Sequence, residues 1–110
     1  MTRRTPPTAG PESRSQQEVT GFLPAESETT PTLSVVLPTM NEAAGIEACL
    51  EDIAAAVAEL GVTAEVIVSD NSSDETPRIA REYGAIVVEP DRMGYGYAYR
   101  YAFARARGEY

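Results

Sequence analysis

Short apolar runs and longer amphipathic stretches alternate three times along residues 32–110. The apolar runs are LSVVL at 33–37, AEVIV at 64–68 and AIVV at 85–88, and β-branched residues dominate them. Continuous apolar runs of this length are typical of strands that are buried on both faces of a parallel sheet. The pattern therefore predicts three parallel strands that alternate with helices, which is an α/β fold.

The stretch after the first run predicts an amphipathic helix. Asn41 is suited to cap its amino terminus, and Glu42 would lie in the first turn, where the helix dipole favours a negative charge. Gly61 follows the last apolar position and is the residue type that most often ends helices. The apolar face consists of residues spaced by four, three, four and three positions, namely Ile46, Leu50, Ile53, Val57 and Leu60.

The stretch between the second and third runs also predicts a helix. It follows a polar turn at residues 69–74, in which Ser73 or Asp74 is suited to cap it. Pro77 would lie in the first turn, where its missing N–H costs nothing. Gly84 would end this helix.

The last stretch carries two conflicting patterns. Aromatic residues occupy every second position from Tyr95 to Phe103, which is the period of a strand. Residues 97–106 are rich in Ala and Arg, however, and they follow a third strand, where a parallel sheet requires a crossover helix. We predict a helix. Its arginines are expected to lie on a solvated face, and they are Arg100, Arg105 and Arg107.

Residues 1–31 have a different composition from the remainder of the chain. They contain five of the eight prolines and few large apolar side chains. Such a segment cannot bury enough apolar surface to offset the conformational entropy lost on ordering. We therefore expect a disordered amino-terminal tail at residues 1–31 and one folded unit at residues 32–110.

The chain has a formal net charge of −8 and contains no lysine. Its acidic balance excludes nucleic acid as a partner, because binding to phosphates needs a basic surface. The missing lysines suit a protein that stays soluble at high salt, and GC-rich codon usage explains them equally well.

The sequence contains no histidine and a single cysteine, Cys49. This composition excludes the common zinc sites and catalysis by Ser-His or Cys-His pairs. Cys49 lies beside the apolar stripe of the first helix and is expected to fill the core as a small hydrophobic residue. Because no apolar run approaches the ~20 residues of a membrane span, we expect a cytoplasmic domain.

Three polar or glycine-rich segments lie just beyond the carboxyl ends of the three predicted strands, at residues 38–42, 70–74 and 92–96. Each has a structural explanation by itself, as a capped turn, an Asx-rich turn or a tight bend. In an open parallel sheet, however, ligands bind beyond the carboxyl ends of the strands. The occurrence of all three segments at successive strand ends therefore favours a common binding site.

The segments LSVVLPTMNEAAGIEACL, AEVIVSDNSSDETPRIA and RMGYGYAYRYAFARARGEY resemble the amino-terminal half of family 2 glycosyltransferases of the GT-A type. The similarity is greatest to the branch that contains dolichyl-phosphate mannose and glucose synthases, and it covers residues 33–110. It implies a truncated, Rossmann-like GT-A fold with a mostly parallel sheet and alternating helices. Residues 32–110 would be the amino-terminal, incomplete part of the transferase domain.

The resemblance implies that a UDP- or GDP-sugar binds across the carboxyl ends of the strands. Pro38 and Met40 would line the base and ribose pocket, although the family often has an aromatic residue in place of Met40. Glu42 would accept hydrogen bonds from the nucleoside. Asp70 matches the first aspartate of the family's Asp-Asp-Gly-Ser-like turn, and its carboxylate would accept an N–H from the edge of the base.

The same resemblance covers the remaining candidate positions. Asn71 stands where the family often has a second aspartate, and this change makes metal ligation there unfavourable. Ser72 stands where a glycine is frequent. Arg92 would meet the nucleotide or its diphosphate, and Gly94 and Gly96 would allow the backbone to approach it.

The family's metal-binding Asp-x-Asp segment normally follows the next strand, which residues 107–110 approach. We therefore expect the ligands of Mg²⁺ or Mn²⁺ beyond Tyr110 and no catalytic or metal-binding residue within the chain. Residues 1–110 alone are expected to be inactive.

The resemblance also implies an acceptor and a location, and alternatives remain open. A polyprenyl or dolichyl phosphate is one expected acceptor, and it would place the enzyme at the cytoplasmic face of a membrane. One alternative is a non-catalytic module that binds nucleotide sugars. Another is a flavodoxin-like signalling domain, which leaves residues 38–42 unexplained.

Overall fold

Each predicted strand and helix is present in the structure, a computed structural model that describes residues 20–110. In chain order the elements are β1 (Leu33–Thr39), α1 (Ile46–Leu60), β2 (Ala64–Asp70), α2 (Thr76–Glu82), β3 (Ile86–Val88) and α3 (Tyr95–Phe103).

The three strands form one parallel sheet in the order β1-β2-β3. All seven residues of the central strand β2 are buried, and four of them are apolar, namely Ala64, Val66, Ile67 and Val68. The register pairs Thr39 with Asp70 and Ser69 with Val88, so all three strands end at the same edge of the sheet. The predicted α/β architecture is confirmed.

The main core lies between β2 and the helices α1 and α2. Val66 and Val68 of β2 pack in one cluster with Leu50 of α1 and Ala80 of α2. Helix α3 contacts β1 and β2, and its buried residues are the small Ala98 and Ala102. Small side chains allow α3 to lie close to the sheet and so bring its first turn to the strand ends.

The start of α1 differs from the prediction. The helix begins at Ile46 with Gly45 in the N-cap position, so Asn41 does not cap it and Glu42 does not lie in its first turn. Asn41 has a left-handed backbone with φ 56°, because hydrogen bonds to the loop after β2 hold it outside the helix. The predicted end is confirmed, since Gly61 is left-handed and its N–H bonds to α1 carbonyls.

The other helices follow their predictions more closely. Pro77 lies in the first turn of α2, and the Asp74 carboxylate accepts the N–H of Thr76 at 2.9 Å. The stretch from Tyr95 to Phe103 is a helix, as predicted, although it begins and ends earlier than residues 97–106. Its alternating aromatics form two rows of i, i+4 neighbours rather than the two faces of a strand, namely Tyr97 with Tyr101 and Tyr99 with Phe103.

Residues 20–31 pack against the folded unit. The Phe22 side chain is only 3% exposed, and Leu23 donates its N–H to the Ala64 carbonyl at 2.8 Å. The Arg107 guanidinium donates to the carbonyls of Pro24 and Ser27. The expectation of a disordered tail is therefore wrong for residues 20–31, because Phe22 supplies apolar burial and Arg107 binds the backbone. Residues 1–19 of that expected tail lie outside the described residues.

The last described residues begin to pair with the free edge of β1. Tyr110 donates its N–H to the Thr32 carbonyl at 3.0 Å and accepts the N–H of Ser34 at 2.9 Å, which is a parallel pattern. Gly108 approaches β1 so closely that an added Cβ would lie 2.7 Å from the Ser34 nitrogen. Residues 107–110 thus approach a further strand position, as the sequence predicts. Within residues 20–110, no helix has the length and apolar character needed to cross a membrane.

Candidate functional site

The loops that follow the three strands meet at one edge of the sheet, and we call this edge the rim. It consists of residues 39–45 after β1, 70–75 after β2 and 89–95 after β3. The β1 and β2 loops meet because Thr39 and Asp70 are paired in register at the strand ends. The β2 and β3 loops meet through the Asn71 amide, which donates to the Pro90 carbonyl at 2.9 Å.

Asp70 is the central side chain of the rim, and it is only 3% exposed. Its Oδ1 atom accepts hydrogen bonds from the Thr39 hydroxyl at 2.6 Å and the Ser72 hydroxyl at 2.5 Å, and its Oδ2 atom accepts the Ser72 N–H at 2.9 Å. No arginine forms an ion pair with it in the part of the chain that the structure describes. A carboxylate oxygen can accept two hydrogen bonds, so Oδ2 retains capacity for one further donor.

A pocket of about 90 Å³ opens at the rim between the β1 loop and the first turn of α3. This volume is below the ~300–1,000 Å³ of typical ligand pockets, so it fits part of a nucleotide rather than all of it. The pocket brings together side chains from all three strand ends, and its lining residues are Thr39, Met40, Asn71, Gly94, Tyr95 and Ala98.

Residues 34–110 match the family model of glycosyl transferase family 2. This chain belongs to glycosyl transferase family 2. The predicted membership is therefore confirmed.

Two curated relatives from Haloferax volcanii are similar in sequence to this family 2 chain. The low-salt glycan biosynthesis hexosyltransferase Agl6 is 57% identical over 89 residues, which cover 81% of this chain and 22% of the relative. The dolichyl-phosphate hexose transferase is 44% identical over 64 residues, which cover 58% of this chain and 27% of the relative. The chain thus spans about a quarter of the length of these curated relatives.

Two solved structures of glucosyl-3-phosphoglycerate synthase from Mycobacterium tuberculosis share the fold. The complex with UDP has a TM-score of 0.61 and 29% identity, and the match covers 96% of this chain and 37% of the synthase. The complex with Mn²⁺, UDP-glucose and phosphoglyceric acid has a TM-score of 0.61 and 30% identity, and the match covers 96% of this chain and 36% of the synthase. The predicted partial GT-A fold is confirmed.

Four of the predicted site residues of this family 2 chain lie at or beside one pocket. Met40, Asn71 and Gly94 line the 90 Å³ pocket, and Asp70 lies next to Asn71 at the end of β2. The first and last of these residues, Met40 and Gly94, are 54 positions apart in the sequence, and the parallel register of the sheet brings the strand ends that carry them together.

Glu42 and Pro38 lie apart from that pocket. Glu42 lines a second pocket of about 150 Å³, which shares only Thr39 with the first. Pro38 is half-buried within β1 and lines neither of these two pockets. Cys49 also lines the second pocket and is exposed, so the expectation that it fills the core is wrong. It lies at the edge of the apolar face of α1, outside the buried stripe.

Arg92 is exposed on the β3 loop and does not line the pocket. Its guanidinium lies 4.8 Å from the centre of the Tyr97 ring. The Tyr97 hydroxyl donates a hydrogen bond to the neighbouring Asp91, which lowers the pKa of Asp91 and raises the pKa of Tyr97. The structure therefore places Arg92 beside the rim, stacked on an aromatic ring.

Several residues at or beside the rim were given no binding role by the sequence prediction, although Thr39, Ser72 and Tyr95 lie within its three segments. Thr39, Tyr95 and Ala98 complete the pocket lining, and Ser72 and Thr76 carry hydroxyl groups that bond the β1 loop. One signal for the hydroxyl pair lay in the sequence, since Ser72 and Thr76 each stand two positions after an aspartate. A short polar side chain at that spacing can fold back onto the aspartate.

The metal ligands that the resemblance implies are not formed by these residues. In residues 20–110, no group of three or more His, Cys, Asp or Glu side chains is placed to hold a metal ion. Asn71, which stands in place of the family's frequent second aspartate, instead donates its amide hydrogen to the β3 loop.

Proposed function

We propose that the complete protein transfers a hexose from a nucleoside-diphosphate sugar to an acceptor, and that the rim binds the nucleotide. The observation that carries this proposal is Asp70, a buried carboxylate next to a pocket at the strand ends, whose hydrogen-bond donors among residues 20–110 are all neutral. Such a carboxylate has an unused acceptor site and is suited to an N–H donor from a ligand.

The relatives support this choice of reaction. Both Haloferax volcanii relatives are named as hexose-transferring enzymes, and the Mycobacterium tuberculosis synthase binds UDP and UDP-glucose in its solved structures. Uracil and guanine each carry a ring N–H on the edge that a carboxylate can accept. We therefore propose a UDP- or GDP-sugar as the donor.

We assign the following roles to the predicted residues. Asp70 accepts the N–H from the base, and Met40 packs on the base through its flexible, polarizable side chain. Asn71 and Gly94 line the same pocket as Met40, and the glycine allows close backbone approach. The remaining predicted contacts are peripheral in this arrangement, namely Pro38, Glu42 and Arg92.

A divalent cation is the expected cofactor of the complete enzyme. One solved structure of the related synthase contains Mn²⁺ together with UDP-glucose. Such an ion neutralises the diphosphate leaving group. We expect its ligands in the family's Asp-x-Asp segment, outside residues 20–110.

The acceptor that we propose is a lipid phosphate. The support is the relative named dolichyl-phosphate hexose transferase, with which this chain shares 44% identity over 64 residues. A lipid acceptor would bring the complete enzyme to the cytoplasmic face of a membrane.

Calorimetric titration of the full-length protein with UDP and with GDP tests this function. We expect one of the two nucleotides to bind, and to bind more tightly with Mn²⁺ or Mg²⁺ than with EDTA. Transfer of radiolabelled hexose to dolichyl phosphate then tests the reaction. Binding without any transfer of sugar to lipid or to water would favour a non-catalytic module, and absence of binding to either nucleotide would refute the proposal.

A further inference from the structure

The loop after β2 contains the same hydrogen-bonded unit twice. In each unit an aspartate Oδ1 atom accepts a hydrogen bond at 2.5 Å from the hydroxyl of the residue two positions later. The backbone N–H of that residue also donates to the aspartate, at 2.9 Å in both units. The first unit is Asp70 with Ser72, and the second is Asp74 with Thr76. We call these four residues the rim clamp.

The two hydroxyl oxygens of the rim clamp accept consecutive backbone N–H groups of the β1 loop. Ser72 Oγ accepts the N–H of Asn41 at 2.6 Å, and Thr76 Oγ1 accepts the N–H of Glu42 at 2.8 Å. The next N–H, from Ala43, donates to the Asp74 carboxylate at 3.3 Å. Because each hydroxyl gives its proton to an aspartate, its lone pairs are left to face the β1 loop.

The rim clamp bonds the β1 loop where its backbone turns through the left-handed region. Asn41 has φ 56°, a conformation that asparagine tolerates better than most residues with a Cβ atom. Its side-chain oxygen also accepts the Ser73 N–H at 3.1 Å, so both loops are bonded in both directions. Met40 precedes this residue and lines the pocket, so the rim clamp fixes where Met40 lies.

The rim clamp also lies beside a second residue that lines the pocket. Asn71 stands between Asp70 and Ser72 in the chain and lines the same pocket as Met40. Loss of the Ser72 or Thr76 hydroxyl would release the β1 loop from the β2 loop without removing any side chain that lines the pocket. Thr76 is fully buried, at 0% exposure, and is therefore not itself available to a ligand.

We propose that Ser72 and Thr76 are positioning residues for nucleotide binding, which hold residues 40–43 at the distance from Asn71 that the nucleotide requires. This inference rests on the proposed function of the rim. Neither hydroxyl needs to touch the nucleotide. Thr76 acts through the backbone N–H of Glu42, and Ser72 acts through the N–H of Asn41 and through its bond to Asp70.

The test uses Thr76→Val in the full-length protein, since valine keeps the shape of threonine and removes its hydroxyl. Thr63→Val is the matched control. Its hydroxyl accepts the Thr32 N–H at 3.0 Å and so joins the segments that precede β1 and β2, at the opposite end of the sheet. The readouts are the Kd for UDP or GDP with Mn²⁺, and KM and kcat for sugar transfer.

We expect Thr76→Val to weaken nucleotide binding by about fivefold, the effect of losing one ordinary hydrogen bond. KM should rise by a similar factor and kcat should change by less than about twofold, because the reacting groups are untouched. Thr63→Val should leave Kd and KM unchanged, and Thr76→Ser, which restores a hydroxyl, should return both values towards those of the parent protein. Ser72→Ala, at a half-buried position, should act in the same direction as Thr76→Val.

Hydrogen exchange separates failure of this inference from failure of the proposed function. Ser72→Ala and Thr76→Val should speed amide exchange in the peptide that contains residues 41–43, and Thr63→Val should not. If the parent protein binds neither nucleotide, the proposed function fails. If the parent protein binds a nucleotide, two results would overturn the role of the two hydroxyls. One is unchanged amide exchange in both variants, and the other is a Kd of the variants equal to that of the parent.

Discussion

Each end of the sheet has a hydroxyl group that donates a hydrogen bond to a buried carboxylate, but the surroundings of the two carboxylates differ. At one end the Ser34 hydroxyl of β1 donates to the Glu65 carboxylate of β2 at 2.7 Å, and at the rim the Thr39 hydroxyl donates to Asp70 at 2.6 Å. Both pairs are in register across the same two strands. Both carboxylates are buried, with exposures of 0% for Glu65 and 3% for Asp70.

The difference lies in what compensates each buried charge. Arg107 bonds to Glu65 through its guanidinium at 3.2 Å and through its backbone N–H at 2.7 Å. Asp70 has only neutral donors among residues 20–110. A buried charge is costly unless it is paired. We therefore propose that the paired end serves the fold, whereas Asp70 at the rim keeps an acceptor site for a ligand.

The largest effect is expected from removing the cation at the paired end. In the full-length protein, Arg107→Ala should lower the free energy of unfolding by about 3 kcal/mol, because it leaves the buried Glu65 carboxylate without its cation. We take the low end of the range for such losses, since 33% of the Arg107 side chain is exposed. Urea denaturation measures the change.

Arg105→Ala is the control for Arg107→Ala. Arg105 is exposed and stacks at 3.6 Å on the Tyr101 ring, so its loss should cost less than about 1 kcal/mol. Neither variant should change nucleotide affinity, provided that the protein stays folded. Equal destabilisation by both variants would show that the Glu65–Arg107 pair does not hold this end together.

The next largest effect is expected at Gly108, which lies against the start of β1. An added Cβ would lie 2.5 Å from Ser34 Oγ and 2.9 Å from the Leu33 carbonyl carbon, so the two backbones would have to separate. Gly108→Ala should lower stability by about 2 kcal/mol, measured by denaturation of the full-length protein. The control Gly96→Ala has no neighbour within 4 Å and lies in α3, where alanine favours the helix. If the Gly108→Ala variant were as stable as the Gly96→Ala variant, the close approach of Gly108 to β1 would be contradicted.

The smallest effect is expected in the titration of Asp74 at the rim. Hydrogen bonds from the Thr76 hydroxyl and N–H lower the pKa of Asp74 below the ordinary aspartate value. Since the folded pKa is the lower one, the stabilisation is present above the ordinary value and is lost as the pH falls through the folded pKa. Thr76→Val should raise the pKa of Asp74 towards the ordinary value, as measured by NMR of the carboxyl carbon.

Asp91 is the internal control for that titration. Its pKa is lowered by the Tyr97 hydroxyl, which Thr76→Val does not touch, so it should stay unchanged. A pKa of Asp74 that does not move in Thr76→Val would show that Thr76 is not its main hydrogen-bond partner.

The sequence was sufficient to predict the elements that depend on local patterns. The apolar runs form the strands, and Gly61 ends α1. A parallel sheet requires a crossover helix after β3, and this requirement predicted α3 correctly where the alternating aromatics pointed to a strand. Because parallel strands end on the same edge, the meeting of Met40, Asp70 and Gly94 could also be predicted.

The sequence was not sufficient where hydrogen bonds join distant segments. Asn41 looked like a helix cap, but its N–H bonds to Ser72, thirty-one positions away. Arg107 looked like part of a solvated helix face, but it pairs with Glu65 and holds residues that were expected to be disordered. In each case the partner is identified only by the sheet register, which a local pattern does not contain.

Nucleotide affinity of the full-length Asp70→Ala variant tests the central claim most directly. We expect the Kd for UDP or GDP with Mn²⁺ to rise by a factor that corresponds to about 1–3 kcal/mol, because a ligand N–H loses its acceptor. Glu65→Gln, at the other end of the sheet, should lower stability and leave that Kd unchanged. An Asp70→Ala protein that is folded and binds the nucleotide as tightly as its parent would contradict the assignment of the rim as the nucleotide site.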